Sequence, residues 1–432
     1  MTVKRILNWT INSINQERQE VLRSIDGGPD TVIATLSATD TSYVDSEEFA
    51  MTTGVAYQVA SIATINGVEV KQVSTPVEEI VPTPTFTPFT AVIGGEYFAL
   101  RTMKGATIVK LDGVELAPDE PYEDEPEDEV YDWYSSMTTV PGSIVTVSPK
   151  DSVSPLASIK IGGGISEVTE WCSLGHVASP GDTKSPVIFG QDIVSVPDYL
   201  PAEITNLTEM FYGATLFNDP NIVNWDLSNV TTLQSMFIIT RAFNQPIGNW
   251  NVSKVTDLSK MFYDSPVFNQ DLSGWDVSNV TDMNQMFYKA VAFNQPLNTW
   301  NVGKVTDMGG MFAASGYDQP LDQWVFPELR DMSGMFNSAA FNQPIGNWDV
   351  SNVQYMSYLF AYTAKFNQPL PNWNLGKVWE GAMSGMFTEN TIFNQDLSGW
   401  CVSLNRFEPN GWNTNGIISP ENYPVWGTCP LG

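Results

Sequence analysis

The side chains able to do chemistry in this sequence are three cysteines, a single histidine and 49 carboxylates. A hydrolytic triad would have to be built around His176, and no strand-elbow serine motif accompanies it. No Cys/His set has zinc spacing, and neither a phosphate loop nor a dinucleotide glycine fingerprint is present. Gly162-Gly163-Gly164 lacks the strand-to-helix setting that such a loop needs. Carboxylate pairs are plentiful, which keeps the two-carboxylate chemistry of glycoside hydrolysis open by composition. Against it, Asp257, Asp282, Asp307 and Asp331 recur at one place in a repeated pattern, where a carboxylate caps backbone N–H groups. The run Asp119-Glu120-Pro121-Tyr122-Glu123-Asp124-Glu125-Pro126-Glu127-Asp128-Glu129 repels itself and its prolines prevent a helix, so it reads as a solvated loop. Calcium (Ca2+) binding is the alternative there, though the run lacks the Asp/Asn and Gly spacing of a calcium loop. The chain is read as not an enzyme, with no cofactor.

Two cysteines have a structural part. Cys401 follows Trp400, and Cys429 sits near the end in Trp426-Gly427-Thr428-Cys429-Pro430. A disulfide between Cys401 and Cys429 is predicted, closing a C-terminal cap. In the chain-entropy model a loop of this length is worth about 3.5 kcal/mol. Such a bond fits an oxidising final environment. Cys172 is left as a buried thiol.

The elements that carry these groups are set by one sentence written about eight times, at a spacing of about 25 residues, between Ile204 and Trp400. Met-Phe pairs stand at Met210-Phe211, Met236-Phe237, Met261-Phe262, Met286-Phe287, Met311-Phe312, Met335-Phe336 and Met386-Phe387, with Leu359-Phe360 standing in once. Tryptophans follow in step at Trp225, Trp250, Trp275, Trp300, Trp324, Trp348, Trp373 and Trp400. A period held this tightly means stacked units, each burying its face on its neighbours. Within one copy, Met283, Met286, Phe287 and Ala290 fall at i, i+3, i+4 and i+7, which predicts one face of a short helix. Phe293-Asn294-Gln295-Pro296-Leu297 then predicts a short extended segment. Each repeat is thus read as short helix, turn, extended segment, turn. Stacking would turn the Met, Phe and Trp positions into core ladders. The asparagines Asn218, Asn244, Asn269, Asn294, Asn342, Asn367 and Asn394 would form an amide ladder that satisfies backbone between coils. A carbohydrate-binding stripe is the other reading of the Asn-Gln pairs and of the Trp column.

The wording Asn279-Val280-Thr281-Asp282-Met283-Asn284-Gln285-Met286-Phe287, followed by Ala292-Phe293-Asn294-Gln295-Pro296-Leu297, resembles the BspA-like (DUF285) repeats of bacterial surface proteins. The resemblance covers about 204–432. It implies a leucine-rich-repeat-like fold, extracellular display and adhesion, with no catalytic site. Departures from the pattern are local: Tyr317-Asp318 replaces Phe-Asn, and Trp324 to Leu329 loses the Asn-Val-Thr turn. That irregular coil is the candidate ligand contact, with Tyr317, Asp318, Gln323 and Glu328 as its surface residues.

The remainder reads as β modules. Residues 1–74 hold short strand patterns, such as Val55 to Ile62 with period two before the Asn66-Gly67 turn, and resemble a fibronectin type III module with Trp9 and Tyr57 in its core. Its first strand is missing or very short, so a partner could supply one by edge pairing. Residues 75–92 are a Pro/Thr-rich linker, 93–158 a β-rich module with the acidic loop, 159–203 an N-terminal cap, 204–400 the repeats and 401–432 the C-terminal cap. The expected fold class is multidomain: β-sandwich modules followed by an α/β leucine-rich-repeat-like solenoid.

Forty-two per cent hydrophobic and 12% aromatic residues supply several cores. A formal charge of −29 argues against nucleic acid or anionic membrane as the main partner. No run reaches the roughly 18 apolar residues of a membrane helix, so no membrane insertion is expected. Met1 to Thr10 lacks the apolar stretch of a secretory signal. Surface-type modules without that signal lead to the expectation of a bacteriophage virion accessory protein, a decoration protein or fibre-like adhesin. Its N-terminal module would dock to a capsid or tail protein. Its solenoid would bind a host-surface or environmental glycan or protein, and a homo-oligomer is compatible. The alternatives are a bacterial cell-surface adhesin and a polysaccharide-degrading tail enzyme.

Overall fold

The structure is a computed structural model that describes the backbone of the strands between residues 2 and 78, together with residues 88–94, 98–103, 107–119, 131–136, 139, 141–149, 159–171, 187–371 and 373–430. Trp9, the Asn66-Gly67 turn, Cys172, His176 and all but the first residue of the acidic run lie outside the described residues. The chain divides into one compact unit of 1–87 with 151–155 and a second of 88–150 with 156–432.

In the first unit the strands are β1 (Thr2–Asn8), β2 (Arg18–Ile25), β3 (Thr31–Ser37), β4 (Ser42–Ala50), β5 (Val55–Ile65), β6 (Val68–Val73) and β7 (Val77–Glu78). β1 pairs antiparallel with β4, and a second antiparallel sheet has the order β3-β2-β5-β6, with β7 also on β5.

The second unit opens with β8 (Phe89–Ile93), β9 (Phe98–Met103), β10 (Thr107–Leu111), β11 (Val114–Glu115), β12 (Tyr131–Ser136), β13 (Ile144–Pro149), β14 (Ile159–Gly163), β15 (Ile165–Glu170) and β16 (Val187–Ile188). They form two sheets, β11-β10-β13-β8-β15 and β12-β9-β14-β16, antiparallel except for β14 with β16. Alternation sets the inner faces: Phe89, Ala91 and Ile93 are buried on β8, as are Val145 and Val147 on β13. β8 begins inside the stretch read as linker. β14 and β15, read as cap, instead hydrogen bond into the two sheets beside β9 and β8. Trp171 joins this part to the repeats: its ring lies 6.2 Å from Phe89, 6.1 Å from Phe189 and 6.1 Å from Trp225.

From residue 187 onward the chain is almost entirely turns. Among the described residues the helices are two 3₁₀ segments, Pro220–Asn224 and Pro420–Asn422. The helix expected at Met283 to Ala290 is therefore corrected. Met286 and Ala290 donate back three residues, to Met283 and Phe287, closing turns whose third residues, Gln285 and Lys289, have φ of 54° and 58°. A positive φ at that position defines a type II turn and ends helical propagation. Meanwhile Met283, Gln285, Phe287 and Lys289 donate to the carbonyls of Asp307, Gly309, Met311 and Ala313 in the next coil, at 2.8 to 2.9 Å. The alternate N–H groups that a helix would use internally are spent between coils. Parallel bridges lie at Thr232, Asp257, Asp282, Asp307 and Asp331, while the Phe293–Leu297 segment forms no strand.

The core is a set of ring ladders. Phe262, Phe287 and Phe312 stack at 5.6 and 5.8 Å, and Phe293 packs on Phe287 at 3.9 Å. Trp250, Trp275 and Trp300 stack at 6.5 Å. These three indoles also donate to the preceding coil, as Trp275 Nε1 does to Ile247 O and Trp300 Nε1 to Leu272 O, at 3.1 and 2.9 Å. The asparagine column is a backbone device: Asn244 Oδ1 accepts from Asn269 N at 2.9 Å and from Gln270 Nε2 at 3.0 Å. Its members are bonded to the next coil and so satisfy backbone N–H groups between coils, although most of them are exposed.

The ladders run past the last Met-Phe pair. Gly385, Phe387 and Glu389 donate to Asn410, Trp412 and Thr414, so residues 410–414 form a further coil with Trp412 in the methionine's place. Cys401 and Cys429 are joined in a disulfide.

Candidate functional site

Each coil has four turn positions, two before the Met-Phe pair and two after it, of which some, such as Ser259 and Ala313, are buried. In the coil from Leu258 these are Ser259, Lys260, Tyr263 and Asp264, and in the coil from Met283 they are Asn284, Gln285, Tyr288 and Lys289. The next coils carry Gly309, Gly310, Ala313 and Ala314, then Ser333, Gly334, Asn337 and Ser338. The coil after that presents Tyr358 and Tyr362, 49% and 53% exposed. Two coils of small residues between coils with tyrosines leave a trough of about 410 Å³.

The local geometry explains why the trough stays open. Gly310 has φ of 63°, and a Cβ there would lie 3.1 Å from Gln285 Cγ. A Cβ on Gly309 would lie 2.9 Å from Asn284 Nδ2. One wall is Tyr288, whose ring stacks on Tyr263 at 4.5 Å and lies beneath Lys289 Nζ at 5.4 Å. The opposite wall is Tyr358, which occupies the space a side chain at Gly385 would need. Burial, with Tyr288 and Asp264 alongside, pushes the Tyr263 hydroxyl up against the opposing pull of Lys289.

Beneath this face runs the aspartate column. Asp257, Asp282, Asp307 and Asp331 accept the N–H two residues on, from Ser259, Asn284, Gly309 and Ser333 at 2.7 to 2.8 Å. They cap turns rather than helices. Burial, with Asp257 and Asp307 on either side, raises the Asp282 carboxyl to about 6, and burial raises Asp331 as well. Exposed aspartates behave oppositely: Ser278 and Ser351 donate to Asp276 and Asp349 and hold their carboxyls below the ordinary range. Among the described residues no group of three or more His, Cys, Asp or Glu side chains could hold a metal ion.

Of the four residues singled out by the irregular coil, Gln323 and Glu328 are exposed, Asp318 is half-buried and Tyr317 is buried. Tyr317 is fully buried in the phenylalanine ladder, 4.1 Å from Phe312 and 6.1 Å from Phe293. Its hydroxyl faces the Leu297 backbone without a well-directed hydrogen bond. Asp318 takes the asparagine's place in the amide column, accepting from Asn342 N at 2.8 Å and Gln343 Nε2 at 2.9 Å. Gln323 is exposed and donates to Asp322, and Glu328 is exposed with Arg330 3.7 Å away. The substitution at Tyr317-Asp318 preserves the ladder, so a departure from the motif there alters the inside of the coil. The opening lies in the same coil on the turn face. Its signal in the sequence is Gly309-Gly310 and Ala313-Ala314, where neighbouring copies carry amide, tyrosine and lysine side chains.

Residues 205–324 and 313–407 match the family described as Mycoplasma protein of unknown function, DUF285, and the trough lies wholly within that span. No curated protein and no solved structure matches the chain.

Proposed function

We propose that this chain, whose residues 205–407 belong to DUF285, the family of BspA-like surface repeat proteins, is a non-enzymatic recognition protein. The repeats form a leucine-rich-repeat-like solenoid, and the strands of 88–171 pack as a β-sandwich at its head. The N-terminal unit anchors the protein to a particle or envelope. The turn face of the solenoid meets a surface polymer of a host or of the surroundings.

The observation that carries this reading is the trough: it is the place where the turn positions hold glycines and small side chains over two coils while the phenylalanine ladder beneath continues. A face with exposed tyrosines, amides, serines and glycines has the composition of recognition surfaces, where rigid rings supply area and small polar groups adapt. The reading also accords with the pattern of carboxylates, which are engaged in turn capping.

Binding of fluorescently labelled full-length chain to intact host or environmental cells tests recognition. Saturable binding, competed by unlabelled chain, is the expected result, and its absence from every surface tried overturns the reading. Immunogold labelling with an antibody against 205–407 tests display. Gold on phage particles makes the chain a virion accessory protein, gold on cell envelopes makes it an adhesin, and gold confined to the cell interior overturns display.

A further inference from the structure

The geometry points to the trough between Tyr288 and Tyr358 as a subsite for an uncharged saccharide chain lying across four successive coils. This rests on the recognition reading above and names its ligand class. Four coils at the spacing of adjacent strands span about 14 Å, the length of a short oligosaccharide rather than one ring. Both ends are closed by tyrosine rings, which give a flat apolar face for the C–H side of a pyranose and a hydroxyl at the edge. Tyr288 is held in place by Tyr263 and Lys289, and Tyr358 by the space at Gly385. Between them the floor is backbone level, and Asn284, Gln285, Ser333, Asn337 and Ser357 line it with amides and hydroxyls able to donate and accept.

The lining also excludes other ligands. It contains Asp331 and no lysine or arginine, in a chain of formal charge −29, so a uronic acid or sialylated chain would be repelled. A peptide would need an open strand edge or an apolar anchor pocket. The backbone donors here are already used: Gln285 N donates to Gly309 O, Gly310 N to Ser333 O and Gly334 N to Ser357 O, at 2.7 to 2.8 Å. The floor of glycine, alanine and serine offers no deep apolar hole. Ring walls with a floor lined by amides and hydroxyls, and without a cation to pair with an acidic sugar, fit a neutral sugar chain.

The test uses the full chain and a panel of neutral hexose oligosaccharides of four to six units. Uronic-acid and sialylated oligosaccharides of the same length serve as comparison, read by calorimetry. Neutral members should bind and the anionic ones should not. Tyr358→Ala should weaken binding roughly tenfold. Ala313→Tyr, which restores the residue that Tyr288 represents one coil earlier, should abolish binding by filling the trough. Both variants should unfold at the wild-type temperature. Binding that neither variant changes, preference for anionic chains, or no neutral oligosaccharide bound at millimolar concentration each overturns the saccharide assignment. If the variants still bind cells as wild type does, this inference fails while recognition stands. If wild type binds no surface, the recognition reading itself fails.

Discussion

Coils beginning at Leu258 and Met283 carry Tyr263 and Tyr288 on the turn face, stacked 4.5 Å apart, whereas the next two carry Ala313 and Asn337 there. On the inside one phenylalanine ladder runs through the same four coils: Phe262, Phe287, Phe312 and Phe336 stack at 5.6 to 6.0 Å. The inner positions are fixed by contacts with both neighbouring coils, so any change there is felt twice. Outer positions such as Lys289, Tyr358 and Tyr362 meet solvent on one side and are free to specialise. Even the tyrosine that enters the inner ladder, Tyr317, keeps the stacking geometry of the residue it replaces.

This contrast is broken most forcefully at adjacent residues of one coil. Phe287→Ala should cost about 3–5 kcal/mol of stability, since a buried ring leaves a cavity that stacked coils cannot close. Tyr288→Ala, one residue on, should stay within about 1 kcal/mol of wild type because it faces outward. Urea unfolding followed by tryptophan fluorescence reads both. Equal costs would show that the turn face is part of the core.

The same logic at the stack's end concerns a coil with a neighbour on one side only. Replacing Cys401 and Cys429 together by serine opens a loop with a sequence separation of 28. The cost should be about 3.5 kcal/mol in the chain-entropy model. Hydrogen exchange should show the loss concentrated after Trp400. Uniform loss across all coils would mean that the repeats unfold as one unit instead of fraying from the end.

How legible this was follows from the same division. The repeat period, the Phe and Trp columns and the Asn column stand in the sequence because each position returns to the same environment about every 25 residues. The i, i+3, i+4, i+7 pattern at Met283, Met286, Phe287 and Ala290 suggested a helix because turns chained every four residues place inward side chains at the same spacing. What separates the two is the left-handed residue between turns, Gln285 and Lys289 here, which side-chain type conceals. Glycine at the equivalent Gly310, Gly334 and Gly385 was the clue available. Pairing of β8 with β15 joins segments more than 70 residues apart, and alternation alone carries no record of which strands meet. The trough was legible only as missing side chains, which a search for unusual residues such as Tyr317 passes over.

A smaller effect sharpens the inside–outside contrast at Tyr317. Its hydroxyl is buried among rings without a well-directed partner. Tyr317→Phe restores the residue of the other coils and should raise stability by about 1 kcal/mol. A loss of stability in urea unfolding would mean that the hydroxyl is satisfied.

The smallest expected effect divides inner from outer carboxylates by pH. The folded Asp282 carboxyl sits at about 6, above its unfolded value near 3.9, so folding favours its protonated form. Its contribution to stability is full below about pH 4, falls as pH rises to about 6, and is lost above that. Asp282→Asn keeps the Oδ1 that accepts from Asn284 N and never ionises. Relative to wild type it should be equal near pH 4 and more stable at pH 7, by less than about 1 kcal/mol because solvent screens a half-buried group. Asp276 is the outer counterpart in the adjoining turn, its carboxyl lowered by Ser278, so folding favours its charged form. Asp276→Asn should therefore show the opposite sign: equal to wild type at low pH and less stable above about pH 4. Thermal unfolding of the two variants between pH 3.5 and 8 gives both differences against one reference curve. Curves of the same sign would mean that the neighbouring turns hold their aspartates alike, and that inward and outward positions differ in packing but not in electrostatics.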